Sequence, residues 1–222
     1  MTQNEQKKAV AVTAVDAMIT EGKIFSGMKI GLGTGSTAMP AVQRIAERIQ
    51  DGTLKDIKAV VTSFQTANAC QDLGIPVYSM NDRIIGGHLD LAIDGADEAD
   101  QQNNLIKGGG AALLREKIVA YNASVFVIVA DQSKDVQTIG TKFAVPVEII
   151  GEARVPVTIA LKKLGASCTL REGVRKCGPV ITDNGNQILD CLWEKPINPA
   201  EMEDKIDDIT GVVEAGLFTK NK

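Results

Sequence analysis

Apolar residues along the first two thirds of this chain alternate between a helical spacing and short β-branched runs. Residues 6–19 carry helix-favouring Ala, Val and Met, 28–32 reads as a short strand, 41–50 is amphipathic, and 57–62 is a β-branched strand. The series continues with a helix over 65–73, a strand over 76–79, a buried strand ending at Ile93, a helix over 111–121 and the apolar run 125–130. This alternation predicts an α/β layer fold with a mostly parallel sheet. Such sheets place ligands at the C-terminal ends of their strands.

From Pro146 the pattern changes to strand (147–150), helix (156–164), strand (167–171), a hairpin pivoting on Asp183-Asn184-Gly185-Asn186, helix (199–209) and apolar strand (211–218). Asn-Gly between apolar runs predicts a type I′ turn. The order β-α-β-β-α-β is the ferredoxin-like plan, so a smaller α+β domain is expected over 146–210, after a first domain over 1–145. Residues 211–222 are a candidate return to that first domain. Trp193 and Cys191 are expected in the core of the second domain, and Glu201, Glu203, Asp204, Asp207 and Asp208 on the wet face of its last helix.

Composition narrows the function. With 222 residues, 44% of them hydrophobic, the chain can bury a substantial core. A formal net charge of −4 argues against a general nucleic-acid binder, which needs a basic face, although a few lysines still suffice for one small phosphate. No stretch approaches the ~20 apolar residues of a membrane span, and the polar start of the chain, 1–8, lacks a signal core, so a cytoplasmic protein is expected. Cys70, Cys168, Cys177 and Cys191 show no C-x-x-C spacing, which points to buried free thiols. His88 is the sole histidine, so a histidine triad or multi-histidine metal site is not expected, and Gly86-Gly87-His88 reads as a loop or strand entry.

Candidate chemistry sits in three segments. Lys107-Gly108-Gly109-Gly110-Ala111-Ala112 opens a helix carrying Arg115-Glu116-Lys117, and glycines that let the backbone approach a ligand at a helix N-terminus suit an anion. Asp94-Gly95-Ala96-Asp97-Glu98 follows a buried strand. Its carboxylates, with Asp100, have two readings: Mg²⁺ ligands, or acid–base groups facing the cationic Lys107. Lys107 supplies positive charge without a metal and favours the second, metal-free reading. Gly31-Leu32-Gly33-Thr34-Gly35-Ser36-Thr37-Ala38 joins strand to helix, a context for phosphate held by N–H groups and hydroxyls. Ser36 replaces the third glycine of a dinucleotide fingerprint and no P-loop lysine is present, so neither NAD nor ATP is favoured. Bland readings exist for each: a flexible loop, a solvated glutamate, a sharp turn.

Together with Thr182-Asp183-Asn184-Gly185-Asn186, these motifs closely resemble ribose-5-phosphate isomerase, type A, over nearly the whole chain, from Lys7-Lys8 to Gly216-Leu217-Phe218. The resemblance implies cofactor-free interconversion of ribose 5-phosphate and ribulose 5-phosphate on a Rossmann-like domain with a ferredoxin-like partner domain. It implies Glu116 as the base moving the proton between C1 and C2, Asp94 and Lys107 as groups steadying the enediolate, and Asp97 as an aid to ring opening. Thr34, Gly35, Ser36 and Thr37 match the substrate-binding loop, Lys134 and Lys7 match phosphate ligands, and Gly95, Ala96, Gly108, Gly109 and Gly110 complete the binding set. The chemistry agrees with the residues, because removing a proton alpha to a carbonyl needs one mobile base and fixed donors where charge develops.

The same architecture serves sugar-phosphate sensor domains and coenzyme A transferases. There is no room for a helix-turn-helix before the strand at Met28, and no glutamyl nucleophile with a coenzyme A pocket is identifiable, so a non-catalytic sugar-phosphate binder is the alternative kept. Family members continue past Gly-Leu-Phe into another strand, whereas this sequence ends at Lys222. An uncovered sheet edge or a partner-supplied cover follows, and a homodimer, or a tetramer, is expected.

Overall fold

The computed structural model describes residues 2–220, which form two compact units, 2–95 with 115–133 and 96–114 with 134–220. The first unit opens with α1 (Gln3–Thr20), β1 (Lys29–Leu32), α2 (Ala38–Gln50), β2 (Lys58–Val61), α3 (Phe64–Leu73) and β3 (Leu89–Asp94). The chain then contributes β4 (Glu98–Ala99) and β5 (Leu105–Ile106) to the second unit and returns through α4 (Leu113–Tyr121) to β6 (Ala123–Ile128). β7 (Val145–Ile149), α5 (Arg154–Lys163), β8 (Ala166–Leu170), β9 (Gln187–Trp193), α6 (Pro199–Asp207), β10 (Val212–Ala215) and β11 (Leu217–Phe218) complete the second unit.

In the first unit the order β2-β1-β3-β6 makes a wholly parallel, Rossmann-like sheet. Ile30 and Leu32 of β1 pack with Val15 and Met18 of α1 and Val42 and Ile45 of α2, while Leu89, Ala92 and Val119 form a second cluster. Gly31 is required because a Cβ there would stand 2.3 Å from Val119 Cγ1. The helix starts follow local chemistry. Thr2 and Glu5 exchange a capping box at α1, and Ser63 Oγ accepts from Thr66 N at α3, which ends on left-handed Gly74.

The second unit holds an antiparallel sheet ordered β10-β7-β9-β8, in which the four strands of a β-α-β-β-α-β chain lie in the order fourth, first, third, second, the ferredoxin-like arrangement. Val157 and Leu161 of α5 and Ile206 of α6 are fully buried against it, and β11, β5 and β4 form a small separate sheet.

Three segments depart from the sequence reading. Residues 76–79 give only an isolated bridge between Ala59 and Val77, since Pro76 lacks an N–H to continue a ladder. The apolar run 211–218 is two strands: Gly216 passes within 2.4 Å (Cβ position) of Lys107 O, and β11 turns away to pair with β5. The Asn-Gly turn is not type I′. Gly185 N bonds to Thr182 O, Thr182 N bonds to Asn186 O, and positive φ falls on Gly185 alone within the turn, a type I turn closed by a left-handed glycine.

Trp193 and Cys191 do join the second core, and Trp193 Nε1 donates to Leu164 O. Glu203, by contrast, is buried and accepts the backbone N–H and hydroxyl of Thr219, so the acidic face of α6 is not wholly wet. Cys177 is exposed and Cys168 half-buried, so only Cys70 and Cys191 match the buried-thiol expectation. His88 sits immediately before β3, its Nε2 2.9 Å from Ser124 Oγ.

Candidate active site

In the first unit the C-terminal ends of β1 and β3 converge on one carboxylate. Asp94, 3% exposed, accepts from Thr34 N at 3.1 Å and from Gly95 N at 2.7 Å through Oδ1. Gly33 makes this approach possible, because a Cβ there would overlap Asp94 Oδ1 at 2.0 Å. Thr34 Oγ1 is in turn 2.6 Å from Thr62 Oγ1 and 2.7 Å from Ser63 Oγ, and Thr66 Oγ1 donates to Gly33 O. The hydroxyls of Thr62, Ser63 and Thr66 were not singled out from the sequence. Their signal is a Ser/Thr cluster at the end of β2 that also caps α3.

The loop is more open at Gly35 and Ser36 and buried again at Thr37. Gly35 has φ +97° with no atom near its Cβ position, Ser36 is exposed, and Thr37 precedes α2 without capping it through its side chain. Lys7 reaches it from α1, its Nζ 2.9 Å from Ser36 Oγ, so these two candidate phosphate ligands do meet.

Glu116 lies in the first turn of α4 and is 5% exposed. A helix that links parallel neighbours β3 and β6 must run back across the sheet, and the bond from Leu89 N to Asn122 O fixes the end of α4 at the start of β3. The first turn of α4 therefore lies at the other edge, the one that carries Gly33 and Asp94. Arg115 beside it stacks its guanidinium over Phe64, 4.8 Å from the ring centre.

In the second unit Asp97 Oδ2 accepts from Gly109 N at 2.8 Å, and a Cβ on Gly109 would stand 2.7 Å from Asp97 Oδ1. The glycine run is a turn before it is a helix start. Gly108 has φ +108°, Ala111 N bonds to Gly108 O, and α4 begins at Leu113. One N–H expected to face an anion, that of Gly109, is held by Asp97, while Gly109 and Gly110 are exposed. Lys107 is 2% exposed, with its ammonium 5.7 Å from the Phe218 ring centre and its backbone N–H on Gly216 O. Ala96 and Lys134 are half-buried, Lys134 closing a short 3₁₀ turn.

The remaining acids hold backbone. Glu98 accepts from the N–H groups of Gly140, Lys142 and Phe143, and Asp100 accepts from Gln102 N and Asn104. Among the described residues no three His, Cys, Asp or Glu side chains are grouped to hold a metal ion. A residue the sequence did not flag is Arg171. It pairs with Asp190 through Nε at 2.9 Å and donates from Nη1 to Gly108 O at 2.8 Å and Gly109 O at 3.1 Å. Nothing in the local sequence around Arg171 announces this, since Asp190 lies on another strand and the two glycine carbonyls are more than sixty positions away along the chain.

A family model described as ribose 5-phosphate isomerase A (phosphoriboisomerase A) matches residues 58–222. Ribose-5-phosphate isomerase A of Treponema denticola is 58% identical over 223 residues, covering 100% of this chain and 93% of that protein. Its namesake in Treponema pallidum subsp. pallidum is 54% identical over 217 residues, 97% and 85% of the two chains. Among solved structures, ribose 5-phosphate isomerase A from Methanocaldococcus jannaschii matches with a TM-score of 0.90 at 41% identity, covering 99% of this chain and 92% of that one. A D-ribose-5-phosphate isomerase in complex with phospho-erythronic acid matches with a TM-score of 0.91 at 39% identity, covering 99% and 92%.

Proposed function

The chain belongs to the ribose 5-phosphate isomerase A family, and on that premise we infer that it interconverts D-ribose 5-phosphate and D-ribulose 5-phosphate through an enediolate, with Glu116 as the base. This is the aldose–ketose step of the non-oxidative pentose phosphate pathway. The observation that carries the base assignment is a buried glutamate in the first turn of α4, at the sheet edge where Asp94 and Gly33 stand. A carboxylate there takes the proton from C2 of the open-chain aldose as electrons shift onto the C1 oxygen. It then returns the proton to C1, while the C2 hydroxyl proton passes to the C1 oxygen and the C2 oxygen becomes the ketone.

The fixed charge in this reading is Lys107, a buried ammonium beside an aromatic ring that stabilises oxyanion charge as it develops. Asp94, fixed by two N–H groups, steadies substrate hydroxyls, and Asp97, fixed by Gly109, assists ring opening. Thr34, Gly35, Ser36 and Thr37 bind substrate, with Gly95, Ala96 and Gly108–Gly110, and Lys7 and Lys134 hold the phosphate. The relative solved with phospho-erythronic acid, itself a phosphorylated sugar acid, supports a ligand of this class. Glu98 and Asp100 are occupied by backbone N–H groups, which supports chemistry that requires neither metal nor cofactor.

A homodimer, or a tetramer, in the cytoplasm belongs to the same reading. β6 is an edge strand with Val125 exposed, a surface suited to cover by another copy, and no helix among the described residues is long and apolar enough to cross a membrane. Incubating the purified protein with ribose 5-phosphate and following ketose formation tests the function. Binding of the sugar phosphate without ketose would instead indicate a sensor.

A further inference from the structure

Outside the candidate active site, one pair of nucleophilic side chains is set face to face. Cys168 on the edge strand β8 and Cys191 on β9 are direct cross-strand partners, with Sγ atoms 3.6 Å apart and the Cys191 thiol donating to Cys168 Sγ. The ladder fixes their geometry. Arg171 N donates to Ile188 O, which makes Leu170–Leu189 a non-hydrogen-bonded pair, and alternation makes Cys168–Cys191 another. Pairs of that type bring Cα atoms to about 4.5 Å and point their side chains together, inside the roughly 4.4–6.8 Å span that a disulfide needs. Closing to a bond of about 2.0 Å takes side-chain rotation and no change of register.

The two thiols are also unequal. Cys191 is fully buried, and its hydrogen bond with Cys168 together with burial pushes its pKa up. Cys168 is half-buried, and the proton donated by Cys191, helped by the Lys162 ammonium, holds its thiol below the ordinary range against the opposing effect of burial. An accessible thiol of lowered pKa next to a shielded second thiol is the pairing in which the first is oxidised and the second resolves it. Cys70 has no such partner arrangement, and burial pushes its thiol up to about 11.

We propose that Cys168 and Cys191 form a peroxide-responsive dithiol that closes to an intramolecular disulfide between β8 and β9 and reopens with thiol reductant. The Cys168 sulfur attacks one peroxide oxygen, the O–O bond breaks, and a sulfenic acid and hydroxide form. The hydroxide takes the Cys191 proton, the Cys191 sulfur attacks the Cys168 sulfur, and the S–O bond breaks. Both thiol hydrogens leave in water, so each dithiol and one peroxide give one disulfide and two waters.

Peptide mapping of the full chain after mild hydrogen peroxide in the presence of dimedone, a sulfenic-acid trap, tests this. In the wild type the expected product is a Cys168–Cys191 crosslinked peptide, lighter by two hydrogens, reversed by dithiothreitol and without dimedone on Cys168. Cys191→Ser is expected to lose the crosslink and accumulate dimedone at Cys168, and Cys168→Ser to leave Cys191 unmodified. Dimedone on Cys168 in the wild type without crosslink, or oxidation of Cys177 while Cys168 and Cys191 remain thiols, would overturn the proposal.

Discussion

The two glycine-bearing turns solve one steric problem and end with opposite chemistry. In each, a glycine exists so that a carboxylate can touch the backbone: a Cβ would meet Asp94 Oδ1 at 2.0 Å from Gly33 and Asp97 Oδ1 at 2.7 Å from Gly109. The first turn is then surrounded by the hydroxyls of Thr62, Ser63 and Thr66 and leaves Ser36 open to Lys7. The second carries a buried ammonium, Lys107, and its carbonyls are gripped by Arg171. Hydroxyls and flexible donors suit recognition of a neutral or anionic substrate group. A fixed, desolvated cation suits charge that appears only during reaction. Glycine content alone does not distinguish them; what each turn is held by does.

The assignment of roles predicts a graded series. Glu116→Gln keeps size and hydrogen bonding and removes basicity, so kcat is expected to fall by roughly 10²–10⁴-fold with a sugar-phosphate analogue still bound. Lys107→Met is expected to lower kcat by roughly 10²–10³-fold, the cost of removing one preorganised donor to an oxyanion. An equal loss from removing hydroxyl at Thr34 would erase the contrast between the turns.

Lys134→Ala is expected to raise KM by about tenfold with a smaller change in kcat, in keeping with loss of a charge-assisted contact. An unchanged KM would remove Lys134 from the phosphate site. Arg171→Lys keeps the charge and loses the fork that spans Asp190 and the glycine carbonyls. Its kcat is expected to drop by about tenfold, below the ~10²-fold that a 1 Å misplacement can cost, with KM and melting temperature retained. A parallel loss of melting temperature would make Arg171 merely structural. At the bottom of the series, exhaustive EDTA treatment is expected to leave activity unchanged, and activity restored by added Mg²⁺ or Zn²⁺ would return the acidic cluster to a metal role.

Local signals were legible where local forces decide. The strand–helix alternation gave the parallel sheet, and the β-α-β-β-α-β order gave the ferredoxin-like unit, because both rest on periodicity within each element. Partners distant in sequence decided the rest. Gly216 splits the last apolar run because its backbone approaches Lys107 O, a contact no window around residue 216 contains. Glu203 points inward because Thr219 offers it two donors. Asn184 did not force a type I′ turn, since Gly185 alone takes the left-handed conformation there. The candidate residues Asp94, Asp97, Lys107 and Glu116 were legible as types at strand and helix ends. The Arg171–Asp190 grip was not, because it joins separate strands and a distant turn, and the Thr62–Ser63–Thr66 run reads locally only as a helix cap, its role being set by the distant Thr34.

The central claim is that Glu116 carries the proton between C2 and C1, and the most direct test is exchange of the substrate C2 hydrogen with deuterated solvent, followed by NMR in the wild type, Glu116→Gln, Asp94→Asn and Asp97→Asn. Wild-type protein is expected to exchange during turnover and Glu116→Gln to lose exchange in proportion to its loss of kcat, with the aspartate variants keeping measurable exchange. Exchange and turnover near wild type in Glu116→Gln, with either aspartate variant inactive, would contradict the account and move the base to that aspartate.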